Sequence, residues 1–140
     1  MIHRISPAEA LERMRHEGFA YVDVRTVPEF ESGHPAGAYN VPWSVSGPSG
    51  LVPNPRFVEV LEARFGRTGK LILGCRIGHR SLHAAEALFA AGFTEVLEQR
   101  AGWEGSRDAF GRTVEPGWKR AGLPSALGAE PGRSWKELAG

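Results

Sequence analysis

Cys75 is the chain's only cysteine, and it stands where an apolar run meets a turn rich in glycine and arginine: Leu71-Ile72-Leu73-Gly74-Cys75-Arg76-Ile77-Gly78-His79-Arg80-Ser81. A helical pattern follows at once. The order strand, turn, helix puts the thiol near the first turn of a helix, whose leading N–H groups lack partners within the helix. With the helix dipole, those groups attract anions. The nucleophilic form of cysteine is the thiolate, so this placement points to nucleophilic sulfur chemistry. Arg76, His79 and Arg80 add positive or protonatable side chains close to the thiol in sequence. Gly74 and Gly78 allow a tight turn and a close backbone approach to a ligand. The turn is expected to cradle an anionic substrate or a charged sulfur adduct. A small buried thiol without chemistry is the usual fate of a free cysteine. Two arginines and a helix start argue against that fate here.

Two other chemistries fit less well. Cys75 and His79 are spaced like a pair of metal ligands, but zinc sites need more protein ligands than that, and there is no second cysteine. Gly66-Arg67-Thr68-Gly69-Lys70 has the look of a phosphate loop. However, Leu71 stands where Ser or Thr belongs, and the stretch precedes a strand instead of following one. A metal site is not expected.

The elements that must position the turn can be read from local pattern. Ser6-Pro7-Ala8-Glu9 is a helix start with a capping box, and Gly18 ends that helix. Phe19 to Val24 reads as a strand, with Asp23 and Arg25 at its C-terminal end. Pro28 to Ser32 is a short helical turn, and Ala38 to Pro42 a short strand. Residues 44–53 read as a loop. Asn54-Pro55 opens a helix to about Phe65; strand Leu71–Leu73, a helix from about Arg80 to Ala91 and strand Thr94–Leu97 follow. Strands alternating with helices predict an α/β fold with a parallel sheet. Sites in such sheets gather at the C-terminal ends of strands, where Asp23, Arg25 and Cys75 all fall. Beyond Gly102, isolated aromatics (Trp103, Phe110, Trp118, Trp135) among Gly, Pro and charge indicate a wrapping tail.

The 140 residues are the size of one domain. The expected division is a domain over 1–124 and a tail over 125–140, either a mobile end or a partner contact. The formal net charge is +1, with no basic block of the kind that binds nucleic acid or membrane surfaces. No apolar stretch approaches the roughly 18–20 residues of a membrane span. One cysteine forms no internal disulfide, so no oxidising compartment is implied. Met1-Ile2-His3-Arg4-Ile5-Ser6-Pro7 lacks the apolar core of a signal peptide. The expected compartment is the cytoplasm.

Cys75-Arg76-Ile77-Gly78-His79-Arg80-Ser81 resembles the active-site loop Cys-x-x-Gly-x-Arg-Ser of the rhodanese family of sulfurtransferases. Tyr21-Val22-Asp23-Val24-Arg25, then Glu29-Phe30 and Gly33-His34, resembles the family's upstream signature, and Gly37-Ala38-Tyr39-Asn40-Val41-Pro42 the segment after it. The likeness covers about residues 3–103. Gly102 to Gly105 and Gly117 to Pro124 resemble the extension of some single-domain members. His34 is a departure, since many relatives carry Ile before Pro35.

The resemblance implies a rhodanese-like five-stranded parallel sheet with helices on both faces. It also implies a double displacement in which Cys75 takes the outer sulfur of a donor such as thiosulfate, releases sulfite and passes the sulfur from a persulfide to a thiol or cyanide. Backbone N–H groups from Arg76 through Ile77, Gly78, His79 and Arg80 to Ser81 would hold the terminal sulfur. Arg76 and His79 would draw in the anionic donor, and Arg80 would brace the loop. Asp23 and Arg25 would support the loop or form a plain ion pair, with Arg25 expected to pair with Glu29. The partners implied are a small-molecule donor and acceptor, and the implied chemistry needs no metal or organic cofactor. The alternatives are a persulfide relay or regulatory module serving a protein, and a Cys-loop phosphatase. Such phosphatases place one more residue between Cys and Arg than the four, Arg76 to His79, found here.

Overall fold

The computed structural model describes residues 2–140. Ser6 starts helix α1 (Pro7–His16) through a reciprocal capping box, in which Ser6 Oγ accepts the Glu9 N–H at 3.1 Å and Glu9 Oε1 accepts the Ser6 N–H at 2.9 Å. Glu29 caps the short helix α2 (Val27–Glu31) in the same way, accepting the Thr26 N–H at 3.1 Å. The central sheet is built from β1 (His3–Ile5), β2 (Ala20–Asp23), β3 (Tyr39–Asn40), β4 (Leu71–Gly74) and β5 (Val96–Gln99). Its order is β1-β5-β4-β2-β3, and every pairing is parallel.

Strand alternation divides the core in two. Val22, Leu71 and Leu73 face one way and pack with Phe57 and Leu61 of α3 (Phe57–Phe65) and Ala84, Ala85 and Leu88 of α4 (Arg80–Ala90). Tyr21 and Ile72 face the other way and pack with Ala10 of α1, Phe30 of α2 and Trp118. A sheet covered on both faces must read as a nearly continuous apolar run, and Leu71-Ile72-Leu73 does.

The structure departs from the sequence reading at several elements. His3–Ile5 forms an edge strand against β5, with Ile5 opposite Gln99. Residues 44–53 are an antiparallel hairpin, Ser44–Gly47 against Gly50–Pro53. The last sheet strand lies two residues further along than Thr94–Leu97, which carries Glu98 and Gln99 into the interior.

Residues 125–140 fold back over the domain. Ser125–Ala126 pairs with His34–Pro35. The Asn40 N–H donates to Arg133 O at 2.9 Å and so covers the outer edge of β3. Trp135 and Leu138 of α5 (Trp135–Ala139) pack against the core on the α3 side. The departure at His34 has a role in this wrapping. Its ring is buried, stacks on Phe30 at 3.8 Å and sits 2.8 Å from Pro35 O, with its other nitrogen against Gly128 O of the tail.

The topology also sets where a site can form. After β2 the chain moves outward to β3; after β4 it moves the opposite way to β5. The crevice at such a switch point, beyond the C-terminal ends of the strands, is where parallel sheets bind ligands. Asp23 and Gly74 are register partners at that edge, and Cys75 follows directly.

Candidate active site

Cys75 lies at the mouth of β4 and is only 2% exposed. Its Sγ accepts the backbone N–H groups of Gly78 at 3.2 Å and Ser81 at 3.3 Å, and the Ser81 hydroxyl lies 3.3 Å away. The loop from Arg76 to His79 thus wraps the sulfur, and α4 begins at Arg80. Two inward N–H groups at the start of a helix form a partial positive pocket suited to a sulfur anion.

The loop rests on the segment after β5. The Trp103 N–H donates to Cys75 O at 2.8 Å, and the Glu104 N–H to Arg76 O at 2.9 Å. Two glycines make this approach possible. Gly78 has φ +94°, and a Cβ there would lie 2.2 Å from Arg100 O; Gly102 has φ +65°, and its Cβ would lie 2.5 Å from Arg76 O. Gly74 serves a different purpose from the turn its sequence position implies. It belongs to β4, and its missing Cβ leaves room for the Tyr21 hydroxyl, which would lie 1.8 Å from it.

The cationic side chains around the loop take different partners. Arg76 points outward, 47% exposed, and pairs with Glu104 at 3.3 Å. His79 is exposed at the loop's rim, and Ile77 is half-buried beside it. Both line a groove of about 560 Å³ with Arg4, Arg100 and Arg107.

Arg25 pairs with Asp23, not with Glu29. Its Nε and Nη2 reach the Asp23 carboxylate at 3.0 and 2.7 Å, and Nη2 also donates to Gly33 O at 2.6 Å. Residues two apart on an extended chain share a face, so Asp23 and Arg25 meet with little bending. Burial opposes the Arg25 charge, but the hydrogen bond and charge of Asp23 outweigh it and hold the guanidinium above its ordinary pKa. Asn40 completes this brace by donating to Asp23 O at 3.1 Å and Arg25 O at 3.0 Å.

Glu29 instead holds Arg80 in a two-armed pair at 2.8 and 3.0 Å. Partial burial pulls the Glu29 carboxyl upward. The Arg80 hydrogen bond and the Thr26 N–H outweigh it, and the pKa falls to about 2 from 4.5. A depressed acid stabilises the fold above its unfolded pKa and loses that contribution as pH falls through its folded pKa. Glu29→Gln is therefore expected to be less stable than the parent at neutral pH, with the gap closing between pH 4.5 and about 2. Urea midpoints measured across that range check this; a gap independent of pH would assign the pair no linkage role.

Three site residues escaped the sequence reading: Asn40, Arg4 and Glu98. Arg4 Nη2 donates to Gly78 O at 3.2 Å, and its Nε donates to Glu98 Oε1 at 2.6 Å. Glu98 is fully buried and also accepts the Ser81 hydroxyl. A carboxylate at the C-terminal end of a buried parallel strand was the available signal.

Comparison with known proteins agrees with this geometry. The family model for the rhodanese-like domain matches residues 6–109. The chain is 39% identical over 108 residues to thiosulfate sulfurtransferase 16, chloroplastic, of Arabidopsis thaliana, covering 77% of this chain and 80% of that protein. It is 38% identical over 97 residues to the senescence-associated protein DIN1 of Raphanus sativus, covering 69% of this chain but only 53% of that protein. The crystal structure of Rv0390 from M. tuberculosis superposes with a TM-score of 0.72 at 33% identity, covering 90% of this chain and 98% of that one. The sheet order, the loop around Cys75 and these likenesses agree, and the chain belongs to the rhodanese-like domain family.

Proposed function

We propose that the protein is a sulfurtransferase that carries one sulfane sulfur on Cys75 as a persulfide, taken from thiosulfate or a similar anionic donor. The observation that carries this reading is a buried sulfur held by two inward N–H groups at the start of a helix. Family membership supports sulfur transfer as the class of reaction, and the plant relative at 39% identity is named for thiosulfate. The Cys75 thiolate attacks the outer sulfur, the S–S bond of the donor breaks, and sulfite leaves with its electron pair. The N–H groups of Gly78 and Ser81 stabilise the negative sulfur as an oxyanion hole stabilises oxygen. A thiol or cyanide acceptor then attacks the outer sulfur and frees the thiolate.

The two loop arginines are engaged by Glu104 and Glu29. The loop backbone, more than free guanidinium charge, receives the donor. The test is intact mass spectrometry after exposure to thiosulfate. The expected result is a gain of one sulfur that cyanide removes. An adduct with mercaptopyruvate but none with thiosulfate would overturn the donor. Hydrolysis of p-nitrophenyl phosphate with no sulfur adduct from either donor would replace the reading with phosphatase chemistry.

A further inference from the structure

We infer that Ser81 and Glu98 form the exit for the Cys75 thiol proton, with Arg4 holding Glu98 in position. The inference rests on Cys75 acting as the nucleophile. A thiol must lose its proton before it attacks, and at 2% exposure Cys75 has little contact with bulk water to take that proton. Of the groups within hydrogen-bond range of Sγ among the described residues, two are backbone N–H donors, which accept nothing. The third is the Ser81 hydroxyl, at 3.3 Å. It is the one acceptor within reach.

The Ser81 hydroxyl has already committed its own proton. It donates to Glu98 Oε2 at 2.5 Å, which turns an oxygen lone pair toward the thiol. Glu98 and Ser81 are both fully buried, whereas the Arg4 side chain is 39% exposed. The line Cys75–Ser81–Glu98–Arg4 therefore runs from the sulfur to the surface. It crosses from the end of β4 to the first turn of α4, then to β5 and β1. A carboxylate in a sheet interior is costly unless paired and hydrogen-bonded. The apolar packing around it makes no use of this one.

The step balances without any co-reactant. The S–H bond breaks and its electron pair stays on sulfur. The proton passes to Ser81 Oγ as the serine proton passes to Glu98 Oε2. The thiolate and a neutral Glu98 carboxyl replace the thiol and the carboxylate. The thiolate keeps the N–H groups of Gly78 and Ser81.

The other charged or titratable groups facing the thiol are engaged elsewhere. Arg80 on α4 is bound by Glu29 on α2, Asp23 by Arg25 at the end of β2, and the Tyr21 hydroxyl on β2 by Gln99. Glu98 acts through Ser81 and is a positioning residue.

The test is the rate of Cys75 alkylation by iodoacetamide between pH 5 and 10, followed by intact mass, for the parent, Ser81→Ala and Glu98→Gln. General-base help is worth about 10²–10⁴-fold. Each variant is expected to alkylate at least about tenfold more slowly at pH 7 and to regain the parent rate at high pH. The double variant is expected to lose no more than either single one, because the two residues act as a unit. Ser81→Ala leaves the Arg4–Glu98 pair intact and guards against misfolding of Glu98→Gln. Glu98→Asp, which keeps a carboxylate, is expected to recover part of the rate. A Glu98→Gln protein that alkylates as fast as the parent or faster at pH 7 overturns the relay, because that is how a carboxylate acting only by repulsion of the thiolate would behave. Alkylation needs no sulfur donor, so a failed thiosulfate adduct with these rates intact would remove the donor and leave the relay standing.

Discussion

Cys75→Ser is expected to abolish sulfur transfer, with turnover falling by at least about 10³-fold. Removal of the attacking residue from another nucleophilic enzyme costs about 10⁶-fold, and a substantial remainder there comes from binding and anion stabilisation alone. Here the loop N–H groups, Ser81 and Glu98 would all remain in place. What disappears is the only atom able to bond a second sulfur reversibly. The serine oxygen can accept the same Gly78 and Ser81 N–H groups, so the fold should be nearly unchanged. The check is thiocyanate formation from thiosulfate and cyanide, with a thermal melt alongside. Turnover above about one per cent of the parent, in a protein that melts normally, would place the transfer on another group.

Asp23→Ala is expected to cost about 3–5 kcal/mol of stability, the usual penalty for leaving one member of a buried ion pair unpaired. Both partners are nearly fully buried, at 2% and 3% exposure. Removal of the carboxylate strands the Arg25 guanidinium beneath Trp103, whose ring centre lies 5.2 Å away. At roughly 3 °C per kcal/mol for a chain of this size, the melting temperature should fall by roughly 10 °C. The loop is affected as well, because Asp23 pairs in register with Gly74, next to Cys75. The double variant Asp23→Leu/Arg25→Met separates the causes. Apolar replacement of a whole buried pair is often neutral, so the double variant should recover much of the loss. A fall of less than about 1 kcal/mol for Asp23→Ala would show that the guanidinium reaches water when freed.

Much of the site was legible because its signals are local. Residues 71–81 spell strand, turn and helix in one short span, and the four residues between Cys75 and Arg80 set the loop's size. The capping box at Ser6 and Glu9 is equally local. Other features carry no local signal. His3–Ile5 has three residues and one buried side chain, too few for a period, and it becomes a strand only by pairing with β5. The hairpin over 44–53 has a turn-rich, largely exposed sequence, and its ladder comes from its two halves meeting. Glu29 lies only four residues after Arg25 in sequence, yet it reaches across the switch-point crevice to Arg80, fifty-one residues away.

The sequence by itself determined the cysteine at the strand end, the loop that wraps it and the alternation that makes a parallel α/β sheet. Each depends on residues within a turn or strand of one another, where backbone sterics and hydrogen bonding act directly. Only the tertiary structure decided which charges pair, that Arg76 turns outward to Glu104 while Arg80 turns to Glu29, and that Glu98 and Arg4 stand behind Ser81. Arg4 and Glu98 are ninety-four residues apart. The sheet order β1-β5-β4 sets their strands side by side next to the strand that leads into Cys75. Local pattern carries no information about that adjacency, which appears only when the two faces of the sheet are covered and the strands settle into register.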